Sequence, residues 1–249
     1  AYHGVSVQES LDALEHIFKW DIEPTRVAAI ILEPVQGEGG FYAAPKEFFQ
    51  ALRKLCDKHG IVLVSDEIQA GFARTGKMFA VEHSDVKPDL ITMAKSLAGG
   101  FPIAAVTGKA EIMDAPHPGG LGGTYAGSPL GTTAALAVLE VIEEEKLCER
   151  SLVLGELMVG RLKAIQSETN SVGDVRNLGA MVAMEMVKDG DANKPDPDLT
   201  KALVNQVLHR MRLLWHVAAV YFSLSFPALA PHLGAPGKRF LVVRCIASV

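Results

Sequence analysis

Ile61-Val62-Leu63-Val64 follows Gly60 and runs straight into Ser65-Asp66-Glu67-Ile68-Gln69. A short β-branched apolar run after a helix-stopping glycine predicts a buried strand. Val27 to Leu32 is a second such run. Between the two, Ala44-Pro45 opens a helix whose inner face is Phe48, Leu52, Leu55 and Cys56. Parallel neighbours need a long crossover, and a helix supplies it, so strand, helix, strand is the rhythm of a parallel sheet. Leu90 to Met93 and Ile103 to Val106 are expected to add two short strands. The fold class expected is therefore α/β with a mainly parallel sheet.

Elsewhere the chain is mostly helical. Ser6-Val7-Gln8-Glu9 is a capping box, followed by Val7, Leu11, Leu14, Ile17 and Phe18 at helical spacing. Helices are expected over Pro129 to Leu147, Glu149 to Ile165 and Leu199 to Leu214, with paired strands around Gly179 from Gly173 to Val187. This switch to an α+β pattern predicts a large domain over 1–147 and a smaller one over 148–214. The remaining 215–249 change character. Asp198 is the last acidic residue, although about six more acids are expected at this chain's mean acidic content. Val217 to Ala230 is apolar, but it is too short for a membrane span and Pro227 interrupts it. A tail foreign to the fold, out of frame or truncated, is the expectation.

A net charge of −5 and the absence of a basic stripe argue against a nucleic-acid partner. Cys56, Cys148 and Cys245 are scattered thiols without CxxC spacing, as in a reduced cytoplasmic protein. The histidines stand singly and show no metal-ligand spacing. The start carries neither Met nor a signal segment, so a fragment of a longer chain is expected.

Asp66 lies at the carboxyl end of one predicted strand, and Lys95 lies just past the end of another. Open α/β sheets bind ligands at that edge, so a carboxylate and an amine can converge there on one pocket. Pyridoxal 5'-phosphate needs such a pair: a lysine for its Schiff base and a carboxylate to keep its pyridine nitrogen protonated. Taken alone, the pair also suits ordinary strand-end residues. Ile68 alternates to the side of Asp66, where it is either core or a ring contact. In Glu33-Pro34-Val35-Gln36-Gly37-Glu38-Gly39-Gly40, the glycines let the backbone turn closely around Glu38, which spacing leaves as a solvated loop acid or a pocket acid. Gly119-Gly120-Leu121-Gly122-Gly123-Thr124 offers backbone N–H groups and a hydroxyl that suit a phosphate, or else forms a flexible turn.

Two longer strings narrow these alternatives. Asp66-Glu67-Ile68-Gln69-Ala70-Gly71-Phe72-Ala73-Arg74-Thr75-Gly76-Lys77 resembles the cofactor-ring segment of the class III (ω-amino acid) aminotransferases. Met93-Ala94-Lys95-Ser96-Leu97-Ala98-Gly99-Gly100 resembles their lysine segment, at the separation the family shows. The likeness runs from about Val5 to about Leu214 and is strongest to the bacterial 4-aminobutyrate branch.

The resemblance implies a fold-type I architecture, partial in its large domain and incomplete in its small one. It implies that Lys95 bonds to pyridoxal 5'-phosphate and moves the proton, which asks for an amine partly deprotonated by burial or a neighbouring cation. By the same resemblance Asp66 pairs with the pyridine nitrogen, Gln69 hydrogen-bonds the ring hydroxyl and Ile68 packs on a ring face. Glu38 neutralises an active-site arginine when a donor without an α-carboxylate is bound, and Glu33 lines the same pocket. Thr124 reaches the cofactor phosphate of the neighbouring subunit, so a homodimer or dimer of dimers is implied.

The implied reaction carries the amino group of an ω-amino acid, 4-aminobutyrate, to 2-oxoglutarate, giving succinate semialdehyde and glutamate. A 5-aminovalerate or ornithine donor, or an inactive fragment, are the alternatives. The family's main phosphate loop, stacking aromatic and substrate arginines have no counterparts here, so the chain as written is expected not to turn over. Tyr2-His3-Gly4 imitates the aromatic motif by coincidence, and Arg244 takes no assignment.

Overall fold

Ser6 starts the first helix in the expected way. Its hydroxyl accepts the Glu9 N–H at 3.1 Å, and the Glu9 carboxylate accepts the Ser6 N–H at 2.7 Å, which caps α1 (Val7–Trp20). The structure, a computed structural model, describes residues 5–211 and 241–242. Tyr2-His3-Gly4, Arg244, Cys245 and all of the 215–249 tail but Leu241–Val242 lie outside the described residues. Cys56 and Cys148 are both free thiols.

After α1 come β1 (Ala29–Leu32), α2 (Lys46–His59), β2 (Val62–Asp66), β3 (Leu90–Met93) and β4 (Ala105–Gly108). A single turn of helix, α3 (Ala110–Met113), precedes α4 (Pro129–Glu144) and α5 (Leu147–Glu168). The hairpin β5 (Val172–Leu178) and β6 (Met181–Met186), α6 (Pro197–Met211) and the short β7 (Leu241–Val242) complete the described elements. The main sheet has the order β4-β3-β2-β1-β7. Its strands are parallel except β4, which runs antiparallel to β3. The α/β class and the mainly parallel sheet are as expected.

Gly60 ends α2 at φ 67°. A Cβ there would meet nothing, so glycine is needed for its left-handed backbone and not for space. The chain then drops into β2, and β1 and β2 pair in register from Ala29↔Val62 to Leu32↔Ser65. One face of this pair is covered by α1 and α2: Leu14, Ile30, Phe48, Phe49, Leu52, Cys56 and Leu63 form one buried cluster. Around α4 and the turn after β3, Met93, Leu97 and Ile142 bury themselves with Phe72 and Ala73.

Several boundaries differ from expectation. The strand placed at Ile103 to Val106 lies at Ala105–Gly108, because pairing with β3 (Leu90↔Gly108 to Met93↔Ala105) selects the register. Ile103 instead packs against Gly131 of α4, where an added Cβ would sit 3.1 Å from its Cδ1. The helix expected to reach Leu147 stops at Glu144; Lys146 turns left-handed at φ 51° and α5 begins at Leu147. The last helix starts at Pro197, and its described part ends at Met211.

The second set of elements meets the first at a tight junction around Ser151 and Gly179. Ser151 of α5 donates its hydroxyl to the Arg74 carbonyl at 2.7 Å and accepts the Ala180 N–H at 3.0 Å. A Cβ at Gly179 would lie 2.4 Å from the Thr75 carbonyl carbon, so only glycine lets the hairpin turn come this close.

Asp89 ties the sheet to its flanking elements. Its carboxylate accepts the Leu63 N–H at 2.7 Å, Arg53 Nη1 at 2.8 Å and Lys109 Nζ at 2.7 Å. Burial pushes the Asp89 carboxyl up, but Lys109, the Leu63 amide and Arg53 together outweigh it and hold it below the ordinary aspartate range. A lowered folded value stabilises the fold above the unfolded value of about 4, and that contribution is lost as pH falls through the folded value. Lys109 is half exposed, so the buried Arg53 pair carries most of the effect. Asp89→Asn is expected to lower the unfolding free energy by about 3 kcal/mol at neutral pH and to flatten its acid limb. Urea unfolding at a series of pH values checks both.

Candidate active site

Three parallel strands end together. The last β1–β2 partners are Leu32↔Ser65, which puts Glu33 level with Asp66, and Asp66 is itself paired with Thr92 of β3. Lys95 follows β3 by two residues. Sheet register thus brings Glu33, Asp66 and Lys95 to one carboxyl edge, where ligand sites of such sheets form.

Asp66 is oriented through one oxygen. Its Oδ1 accepts Thr92 Oγ1 at 3.0 Å and the Ile68 N–H at 3.1 Å. Among the described residues no donor reaches Oδ2. Because β2 stops at Asp66, Ile68 and Gln69 belong to the following turn and do not continue the strand's alternation. Ile68 is half-buried there.

Gln69 joins two stretches that are far apart in the chain. Its Nε2 donates to Glu38 Oε1 at 3.1 Å. A Cβ on Gly37 would come within 2.4 Å of the Gln69 side-chain amide, so a larger residue there would push Gln69 aside. Glu33 Oε1 accepts the Gly37 N–H at 3.2 Å and so braces the loop as well as facing the sheet edge. The loop is closed by the Val35↔Ala43 bridge and by Gln36 N–H donating to the Tyr42 carbonyl at 2.9 Å. Glu38 stands exposed at its tip.

Lys95 has a left-handed backbone, φ 48°. Such a conformation costs a non-glycine residue about 1–2 kcal/mol and persists only where the surroundings fix it. Here a 3-10 turn over Lys95–Ala98 holds it, with Leu97 and Ala98 buried beneath. Arg74 Nη2 also donates to Ser96 Oγ at 3.0 Å. The Lys95 side chain is exposed, and among the described residues it is ion-paired to no carboxylate. The burial expected to ease its deprotonation is not provided by the described residues, since no element of theirs packs over the lysine.

Thr124 is not brought to this edge. It sits exposed in a turn where Ala126 N–H donates to the Gly123 carbonyl at 3.0 Å, and no described hydrogen bond links it to Asp66, Gln69 or Lys95. A cleft of about 480 Å³ between α4, α5 and the Arg74–Ser96 contact is likewise lined by none of Glu33, Glu38, Asp66, Gln69 or Lys95.

Two residues that the motifs did not single out support the site. Thr92 fixes Asp66, and its place opposite Asp66 follows from register alone. Glu67 is fully buried and accepts the Val81 N–H at 2.8 Å, the Ala80 N–H at 2.9 Å and Ser65 Oγ at 3.2 Å. Burial pushes its carboxyl up, with the Val81 and Ala80 amides and the Ser65 hydroxyl opposing. Its work is to pin the turn over residues 80–84 behind the Asp66–Gln69 segment.

Residues 2–213 match the family described as "Aminotransferase class-III". The chain belongs to the class-III aminotransferases. It is 53% identical to a 5-aminovalerate aminotransferase of Pseudomonas aeruginosa, over 90% of this chain and 53% of that one. It is 54% identical to a 4-aminobutyrate aminotransferase of Escherichia coli, over 81% of this chain and 47% of that one. Among solved structures, a Bacillus anthracis aminotransferase superposes with a TM-score of 0.75 at 36% identity, covering 84% of this chain and 48% of its own. The taurine:2-oxoglutarate aminotransferase of Bifidobacterium kashiwanohense, solved with PLP and glutamate, gives a TM-score of 0.74 at 30% identity, covering 84% and 48%. This class-III chain therefore spans about half the length of the curated relatives it matches.

The family's cofactor is pyridoxal 5'-phosphate, and the fold is the corresponding α/β fold-type I, represented in part. The residues present fit the group. Asp66 is a carboxylate steered by one oxygen, with the other met by no donor among the described residues, which suits pairing with a pyridinium. Lys95 offers an exposed amine, ion-paired to no carboxylate among the described residues, on a fixed turn at the same sheet edge.

Proposed function

We propose that the enzyme carrying this sequence transfers the amino group of an ω-amino acid, 4-aminobutyrate, to 2-oxoglutarate, giving succinate semialdehyde and glutamate. The observation that carries this reading is the 3.1 Å bond from Gln69 to Glu38. It sets the acid of the Glu33–Gly40 loop against the cofactor-ring segment, at the sheet edge that also holds Asp66 and Lys95. An acid so placed suits a donor that lacks an α-carboxylate, because the resemblance to the family gives it the task of neutralising the arginine that otherwise binds that group.

When bound, pyridoxal 5'-phosphate supplies an electron sink for negative charge at the donor carbon. Asp66 would keep the ring nitrogen protonated, while Thr92 and the Ile68 amide hold its Oδ1 and so fix the carboxylate's direction. Lys95 Nζ takes the proton from the donor carbon and later returns it. Gln69 would hold the ring hydroxyl from the turn that also restrains Glu38, and Ile68 would cover a ring face. Glu33 keeps the loop closed through Gly37.

Thr124 serves the cofactor phosphate of a second copy, so the site is shared across a homodimer, or a dimer of dimers, in the cytoplasm. Support for a partner copy comes from α4 and α5. Leu130 (70% exposed) and Leu136 of α4 and Val153 of α5 are exposed to solvent, and apolar groups on this scale mark interfaces.

A 5-aminovalerate donor is the second reading, favoured by the Pseudomonas aeruginosa relative at almost the same identity as the Escherichia coli one. One methylene is worth only about 1–3 kcal/mol in a pocket. The expected kcat/KM for 4-aminobutyrate therefore exceeds that for 5-aminovalerate or ornithine by about tenfold. Glutamate formation from each donor with 2-oxoglutarate measures it. A 5-aminovalerate preference favours the second reading, and no transfer from any ω-donor refutes both.

A further inference from the structure

Arg176 of β5 packs half-buried against the same loop, with 15% of its side chain exposed. Its guanidinium uses every edge. Nε donates to the Gly40 carbonyl at 2.9 Å, and Nη2 donates to the same oxygen. Nη1 reaches Asp174 Oδ2 and Glu185 Oε1, each at 2.7 Å. The Tyr42 ring lies against the guanidinium plane, 3.6 Å from Cζ to the ring centroid, and the Tyr42 hydroxyl donates to Glu185.

Two points of the loop, Gly40 and Tyr42, are thus fastened to the β5–β6 hairpin. Between them and the sheet lies the turn that carries Glu38, closed by the Gly40 N–H donating to the Gly37 carbonyl at 3.1 Å. Phe41 is held at φ 58°, a left-handed conformation that side chains rarely adopt and that needs restraint. Glu33 and Gln69 restrain the loop from β1 and from the turn after β2. Arg176 restrains it from the hairpin.

We infer that Arg176 is a positioning residue for the amino donor: by gripping the Gly40 carbonyl and the Tyr42 ring it sets the place of Glu38. The inference rests on the reading above that Glu38 serves a donor without an α-carboxylate. Lysine cannot replace arginine in this role. An ammonium keeps the charge facing Asp174 and Glu185, but it lacks the planar fork that closes on one carbonyl oxygen while stacking on a ring. Tyr42→Phe keeps the stacked ring and removes only the bond to Glu185, so it weakens the grip by a smaller step.

The test compares Arg176→Lys, Tyr42→Phe and Glu38→Gln in the cofactor-loaded enzyme. Arg176→Lys is expected to raise the donor KM about tenfold while the 2-oxoglutarate KM stays within about twofold, because only the donor depends on Glu38. Amide hydrogen exchange over residues 38–42 is expected to quicken by about tenfold, with the β1–β3 amides unchanged. Tyr42→Phe moves both readouts in the same direction by less, and it carries the test if the lysine variant does not fold.

A normal donor KM and normal loop exchange in Arg176→Lys, or an equal rise in both KM values, overturns the inference. If Glu38→Gln raises the donor KM but Arg176→Lys does not, the inference alone falls. If Glu38→Gln leaves the donor KM unchanged, the donor role of Glu38 falls and the inference with it, whatever the exchange rates show.

Discussion

Lys95→Ala is expected to abolish amino transfer, with a loss in kcat of at least about 10³-fold. Proton transfer by a positioned side chain is worth about 10²–10⁴-fold, and alanine also removes the atom to which the cofactor attaches. No described neighbour can substitute. The nearest polar side chain in the chain, Ser96, is committed to Arg74, and its hydroxyl is far too weak a base near neutral pH. Leu97 and Ala98 carry the burial of the turn, so truncating the exposed Lys95 side chain leaves the fold intact. Left-handed backbone at position 95 is tolerated by alanine no worse than by lysine. The check is single-turnover kinetics with the donor, alongside thermal unfolding. A variant that keeps a tenth of the activity would contradict the assignment.

Asp66→Asn has the next largest expected effect, and it separates charge from shape. Asparagine retains an oxygen for Thr92 Oγ1 and the Ile68 N–H, so the end of β2 stays tied to β3. The group toward the ring becomes a neutral amide, which no longer favours a protonated pyridine nitrogen. Loss of a charge-assisted hydrogen bond costs about 1.5–3 kcal/mol, or about 10–150-fold in cofactor affinity. A larger fall in kcat follows, since an unprotonated ring is a poorer electron sink. Cofactor titration by absorbance gives the affinity, and an unchanged melting temperature confirms that the variant is folded. Equal affinity in the variant and the parent would show that Asp66 does not face the ring nitrogen.

The placement of both residues at the sheet edge is legible in the amino-acid sequence, for a physical reason. Asp66 and Lys95 stand next to short β-branched runs, and a run of that kind places its last residue at a sheet edge. Gly60 and the Ser6–Glu9 box are equally readable, because caps depend on local geometry alone. Features set by distant partners are not. The fourth strand lies two residues later than its apolar run suggests, since pairing with β3 and the packing of Ile103 on Gly131 decide its register.

The resemblance gives Glu33 as a pocket acid, and its bond to the Gly37 amide adds a brace that is visible only once the loop is folded back. Glu67 sits inside the most informative motif, yet its role comes from amides at residues 80 and 81, beyond any local pattern. Arg176 lies 136 residues from the carbonyl it holds, so spacing carries no trace of the contact. The exposure of Lys95 belongs to the same class, because cover for a side chain comes from other elements and not from its neighbours in sequence.

The central claim is that Lys95 is the residue to which the cofactor attaches. The direct measurement is borohydride reduction of the enzyme loaded with pyridoxal 5'-phosphate, followed by proteolysis and mass mapping of the modified lysine. The predicted result is a stoichiometric adduct on the peptide containing Met93-Ala94-Lys95-Ser96, removed by Lys95→Ala. Adducts spread over exposed lysines such as Lys46 and Lys109, with Lys95 unmodified, would contradict it.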